Sequence, residues 1–226
     1  MIPRFFLFVF IASSFCSAQN NLINPRYHLQ KRLLAADLHL TVQLETDSRV
    51  SKNLAYEDIP ENALNAKVQV THTNGKKVFS LLLETSRADI DWLEASPKGE
   101  YLLLVTENKT IDFGSYNGPV SVLYSLNRGR LIPVVARNTG VKTEVPIVFM
   151  RSLKENWRIG KTNLKSHPEI YSVSCRPVVD ALGKDVSFET VYARYYFASG
   201  RWHRKIRTLN EVWENDGPFP PRYLFP

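Results

Sequence analysis

"YARYYFASGRWHRKIR" spans residues 192–207, and its internal pairing decides the fold class. Ser199-Gly200 supplies a two-residue turn in which glycine takes positive φ without steric penalty. With that turn in place, Ala198 opposes Arg201, Phe197 opposes Trp202, Tyr195 opposes Arg204 and Ala193 opposes Ile206. One face then carries Val191, Ala193, Tyr195, Phe197, Trp202 and Ile206, with Arg204 as its single charge. The other carries Tyr192, Arg194, Tyr196, Arg201, His203, Lys205 and Arg207. A slip of one residue would turn Trp202 onto the polar face, so burial and turn chemistry specify one antiparallel register.

The same logic reads "AKVQVTHTNGKKVFSLLLE", residues 66–84. Asn74-Gly75 is a strong hairpin signal, because both central positions of a tight primed turn favour positive φ. Taken as a two-residue loop, it sets Val70 against Phe79, Val68 against Leu81, Ala66 against Leu83 and His72 against Lys77. Between these hairpins lie "DIDWLEASPKGEYLLLVTENK" (residues 89–109) and "GPVSVLYSLNRGRLIPVVARN" (residues 118–138). The turn Ser96-Pro97-Lys98-Gly99 feeds a strand over residues 100–105, and a second strand over 120–126 ends in an Asn127-Arg128-Gly129 turn. This phrase, residues 89–131, resembles one blade of the TolB-type β-propeller repeats. It departs from them in placing Trp92 four residues before Ser96 and in carrying Lys98 where the family has Asp. The resemblance implies strand–turn–strand. A closed propeller needs at least about four such blades, and no second copy is present, which argues against closure.

Elsewhere the pattern is less regular. Residues 29–36 begin like a short helix and residues 37–45 alternate as a strand, while "DIPENALN" (58–65) is a loop. "VPIVFM" (145–150) reads as a buried strand, "RSLKENWRIG" (151–160) as a turn or short helix, and "RPVVDALGKD" (176–185) as a helical turn or loop closed by Gly183. In "EIYSVSC" (169–175) Tyr171, Val173 and Cys175 face the core. The tail "NDGPFPPRYLFP" (215–226) holds four of the thirteen prolines and is expected to lie extended with its aromatics packed down. The expected fold is mainly β, with eight to ten strands in antiparallel or mixed sheets built from hairpins. It is sandwich-like, or made of two small sheet-based halves.

The first residues, "MIPRFFLFVFIASSFCSAQ", have a basic start, a short apolar run and small residues before a cut after Ala18. This is the layout of a secretory signal peptide over residues 1–18, and the run is far below the roughly 20 residues that span a bilayer. Phe15 before Cys16 argues against a lipid anchor there. Removing 18 of 226 residues leaves 208, expected as one β-rich domain, 19–226, or as two sheet-based halves, 19–140 and 141–226. The net charge of +7 loses Arg4 and no acid on cleavage, so +6 remains and favours anionic partners. Cys175 is then the one cysteine left, so no internal disulfide forms.

For chemistry, the five histidines show no paired metal spacing, no phosphate-cradling glycine loop occurs and no nucleophile elbow is present. No cofactor and no metal site are expected. Cys175 beside His203 is the one nucleophile–base pairing to weigh, although Cys175 is expected to face inward and His203 outward. The carboxylates Asp89/Asp91 and Glu211/Glu214 belong to no wider acid–base pattern. The expected function is a secreted or periplasmic, non-enzymatic binding or accessory protein. It would use Tyr192, Arg194, Tyr196, Arg201, His203, Lys205 and Arg207 against an anionic partner: a protein, an acidic glycan or a lipid surface. Nucleic acid is disfavoured for an exported chain. A small hydrolase at Cys175/His203 and a structural subunit of an envelope assembly are the alternatives. The tail, or the acidic "NEVWEND" (210–216), is also expected as an internal cover for the basic face.

Overall fold

The computed structural model describes residues 26–51, 54–93, 99–108, 117–140, 143–160 and 167–226. The expected signal peptide and Ser96-Pro97-Lys98 of the blade-like turn lie outside these residues. In chain order the strands begin with β1 (Tyr27–Ala35), β2 (Leu40–Asp47), β3 (Lys67–His72), β4 (Lys77–Leu82) and β5 (Ala88–Trp92). They continue with β6 (Leu102–Asn108), β7 (Pro119–Asn127), β8 (Arg130–Pro133), β9 (Val135–Asn138) and β10 (Glu144–Pro146). The last are β11 (Val148–Met150), β12 (Glu155–Ile159), β13 (Ile170–Val179), β14 (Asp185–Ala198) and β15 (Arg201–Leu209). The protein is mainly β, and its strands form three separate sheets, none closed into a barrel or propeller.

The first sheet is the meander β1-β2-β3-β4. The middle sheet runs β11-β7-β6-β5, with β8 pairing the same edge of β7 further along. The third sheet has the order β10-β9-β15-β14-β13-β12, in which β9 lies parallel to β15 and every other pair is antiparallel. Two apolar layers join these sheets. Val42, Leu44, Val68 and Val70 of the first sheet pack on Ile90, Leu103 and Val105 of the middle one. Leu102, Leu123 and Phe149, from the other face of the middle sheet and its edge, pack on Trp157, Ile170, Ala193, Tyr195 and Trp202 of the third. Alternation in β6 therefore serves both layers, Leu102 to one side and Leu103 to the other. The chain exchanges sheets through Val134 and Ile147: β8 ends in the middle sheet, β9 and β10 join the third, and β11 returns to the middle.

Both expected hairpins form, and one differs at its tip. In β14–β15 the pairs Ala198–Arg201, Phe197–Trp202, Tyr195–Arg204 and Ala193–Ile206 are all present. Ser199 and Gly200 both have positive φ (51° and 75°), which gives the primed turn whose twist suits a hairpin. In β3–β4, Val70 meets Phe79 and Val68 meets Leu81 as expected. His72 does not face Lys77. The turn has three residues, with Gly75 N–H donating to the His72 carbonyl and His72 N–H to the Lys76 carbonyl. Gly75 has φ +88° and Asn74 is not in that region. A bulge at Val78 absorbs the extra residue, and Thr71 pairs with Lys77 instead.

Other expectations are corrected by long-range pairing. Residues 29–35 are not helical: β1 pairs along β2 with a bulge at Gln30, and Ala35 and Leu33 enter the first apolar layer. Helix propensity in "LQKRLLA" is worth only tenths of a kcal/mol per residue, less than a full strand partner supplies. Residues 155–159 form strand β12 rather than a turn or helix, because Trp157 is drawn into the second layer. "VPIVFM" splits into β10 and β11 in different sheets around buried Ile147. Residues 176–179 extend β13, and Asp180 closes the following turn by accepting the Leu182 and Lys184 N–H groups. The fifteen strands among the described residues exceed the eight to ten expected, since several are three or four residues long and too short to show a period.

Candidate functional site

The polar side of the β14–β15 hairpin is divided in two by the C-terminal tail. Cross-strand pairing places Thr190, Tyr192, Arg194 and Tyr196 on one face with Leu209, Arg207, Lys205 and His203, and with Cys175, Val173 and Tyr171 of β13. Along half of that face residues 209–226 lie as a cover. Tyr171, Val173, Tyr192 and Phe225 form a third buried cluster, with Leu209, Trp213, Phe219 and Leu224 packed against it. The rings of Tyr171 and Tyr192 meet Phe225 edge-on at 5.1 and 5.4 Å. Tyr192 is therefore only 2% exposed. The third sheet is buried on both faces over this region, which a simple inside/outside alternation does not anticipate.

Polar contacts fasten the cover. Tyr192 donates its hydroxyl to Glu211 at 2.7 Å, and Thr190 donates to the Glu211 backbone oxygen at 2.8 Å. Burial first, and then this bond to a carboxylate, push the Tyr192 phenol well above its usual value. Lys154 holds Glu214 at 2.6 Å. Glu169 accepts from both Tyr171 and Arg194 and lies 3.6 Å from Arg222. Burial pushes the Glu169 carboxyl up, but the bonds from Arg194 and Tyr171 outweigh it and hold it below its usual value. Arg222 and Arg158 lie over the rings of Tyr171 and Phe219 at 4.8 and 4.5 Å. Glu211 and Glu214 are thus anchors of the tail. Asp89 and Asp91 are likewise tied to Lys31 across β1 and β5.

The other half of the face is open. Arg201 and Arg207 are exposed, and Tyr196, His203 and Lys205 are half-buried. Tyr196 and His203 stack, with ring centroids 5.3 Å apart and planes 18° off parallel. The Lys205 ammonium lies 5.8 Å from the Tyr196 ring. His203 Nε2 is 3.1 Å from the Ala198 carbonyl oxygen, which fixes the ring at the base of the turn. Arg207 donates weakly to the Tyr223 backbone oxygen at 3.4 Å. Of the seven residues read from the sequence, Tyr192 and Arg194 lie beneath the tail, and Tyr196, Arg201, His203, Lys205 and Arg207 form the open row.

The tertiary structure adds one residue that the sequence pattern did not single out. The parallel pairing of β9 with β15 sets Arg137 beside His203 on the same face, exposed, so Tyr196, His203 and Arg137 form one line across three strands. Glu144 of β10 pairs opposite Arg137 and is the acid nearest the row in register. Among the described residues, none of Arg137, Arg201, Lys205 and Arg207 makes an ion pair. Contiguous cations of this kind repel one another unless an anion lies over them.

Cys175 and His203 are not brought together. They share a face rather than lying on opposite faces, but Cys175 pairs with Thr190 while His203 pairs with Tyr196. Six strand residues, roughly 20 Å at about 3.4 Å each, separate those positions. Cys175 is fully buried. No group of His, Cys, Asp and Glu able to hold a metal ion occurs among the described residues, and no described helix is long and apolar enough to cross a membrane. Comparison of the chain with family models, curated proteins and solved structures gave no match.

Proposed function

We propose that this chain is an exported, non-enzymatic binding or accessory protein that holds an anionic partner on the open part of the β14–β15 face. The observation that carries this is the row of Arg137, Arg201, His203, Lys205 and Arg207 around Tyr196, whose arginines and lysine have no acidic partner among the described residues. Had the tail covered the whole face, as it covers Tyr192 and Arg194, the basic residues would read as counter-charges to Glu169 and Glu211 and nothing more. The signal-like residues 1–18 support export. The test is retention of the purified protein on an anionic matrix across a salt series. The double variant K205Q/R207Q should elute at lower salt with a flatter salt dependence, and keep its stability within about 1 kcal/mol. Unchanged elution would refute the row as a binding face. Robust hydrolytic turnover abolished by one side-chain substitution would refute the non-enzymatic reading.

A second reading, a subunit of an envelope assembly, has its own observation. Beyond the end of β15, residues 176–189 continue as a two-stranded arm with Val179, Val186 and the 92%-exposed Leu182 near its tip. Two strands alone are marginal in water, and apolar tips of this kind are used at contacts. Light scattering of the parent and of Leu182→Asp decides between them: a concentration-dependent assembly lost in the variant supports the subunit role, and a monomer in both refutes it.

A further inference from the structure

We infer that the open row binds a linear acidic polysaccharide, laid along β15 against the Tyr196 edge and the exposed Tyr223 ring. This rests on the anion-binding reading above and goes further by naming the class of partner. The basic residues are in a line rather than a patch. Arg201, His203, Lys205 and Arg207 succeed one another at every second residue of one strand, roughly 6.8 Å apart, so the row extends for roughly 20 Å. A compact anion would engage two of these at most. An extended chain with a charge on each repeating unit meets them all.

Two further features favour a thin, ringed chain over a lipid surface. The tail stands above the same face, over Tyr171, Val173 and Tyr192, and so makes a step along one side of the row. A flat bilayer would meet the step before the row, whereas a single polymer chain fits against it. The aromatic groups beside the cations are also tyrosines with polar edges. Tyr196 lies in the middle of the row against His203, and Tyr223, 77% exposed, sits where its backbone accepts from Arg207. Tyr223 offers a flat apolar face to a pyranose, and Tyr196, its ring flanked by His203 and by the Arg194 guanidinium at 5.0 Å, offers its edge and hydroxyl to the sugar substituents. The large exposed aliphatic side chain on β15, Ile206, belongs to the opposite face; on the row's own face Val135, two residues before Arg137, offers one short branched side chain.

Arg137 separates this reading from a patch confined to one hairpin. It reaches the row only through the β9–β15 pairing, on the side away from Tyr196. A polymer lying along the row passes both.

The experiment measures binding of the purified protein to oligouronates of increasing length, to inorganic phosphate and to phosphatidylglycerol vesicles. Affinity for the oligouronates should rise with length until the chain spans the row and then level off. Arg137→Gln and Tyr196→Ala should each weaken the longest oligomer about five- to tenfold, with the fold unchanged by circular dichroism. Equal affinity for phosphate and for the longest oligomer would overturn the linear site while leaving an anion site. Binding to vesicles but not to oligouronates would overturn the polysaccharide and leave the wider reading standing. No binding to any of the three would overturn both. Oligouronate binding indifferent to Arg137→Gln and Tyr196→Ala would place the site elsewhere and overturn the inference.

Discussion

Replacing Trp202 by alanine tests the hairpin register and the second apolar layer together. Trp202 is 5% exposed, meets the Phe197 ring edge-on at 5.9 Å and the His167 ring at 5.5 Å, and pairs with Ala136 on its other side. A buried indole removes roughly 200 Å² from water, which at about 25 cal/mol per Å² corresponds to about 5 kcal/mol. Partial collapse of the neighbours recovers some of that, so Trp202→Ala should cost about 3–5 kcal/mol. Phe197, its cross-strand partner, is the internal control. It is 36% exposed at the rim, so Phe197→Ala should cost no more than about 2 kcal/mol. Urea melts followed by far-ultraviolet circular dichroism measure both, with the slope of the transition checked for constancy. The register is refuted if Trp202→Ala melts within about 1 kcal/mol of the parent, or if Phe197→Ala costs as much.

Three further outcomes follow from single sites. Asp47, fully buried, accepts from Arg49 through two side-chain bonds and also from the Arg49 and Leu64 N–H groups, and these hold its carboxyl well below the usual carboxylate range. Its contribution is therefore complete above the unfolded carboxylate value, about pH 4, and is lost as pH falls through the depressed folded value. Asp47→Asn should cost about 3 kcal/mol at neutral pH and flatten the acid limb in urea melts at stepped pH; an unchanged limb would exclude Asp47 as its source. A Cβ on Gly118 would fall 1.7 Å from the Arg151 backbone oxygen, so Gly118→Ala should cost at least about 3 kcal/mol. Gly217→Ala, with open space around it, should stay within about 0.5 kcal/mol, and equal melts for the two would contradict the packing. Phe225→Ala should loosen the tail, cost about 3 kcal/mol and raise binding of a hydrophobic dye as Tyr171 and Tyr192 become exposed; a parent-like melt with no dye signal would show that the tail is not a cover.

Local chemistry alone determined the β14–β15 hairpin and, short of its tip, the β3–β4 hairpin. Ser199-Gly200 with the two-residue period of its flanks specified every pair of β14–β15, because a strand's side chains alternate strictly and one slip would expose Trp202. The mainly β class and the burial of Cys175 were legible for similar reasons, whereas the tail expected to lie extended turns through a short 3-10 helix at Arg222–Leu224 and leaves Tyr223 exposed while Phe225 packs down. The tertiary structure decided what distant segments impose. "LQKRLLA" became β1 because β2 offers backbone partners along its length, broken only by a bulge at Gln30, which local propensity does not outweigh. Tyr192 left the solvent because the tail, some twenty residues later in the chain, settles on its face and Glu211 satisfies its hydroxyl. Arg137 entered the row through a parallel pairing that no local period announces, since the crossover that brings β9 beside β15 passes through another sheet. Periodicity shows which side chains share a face, and only packing shows which face is left open to a partner.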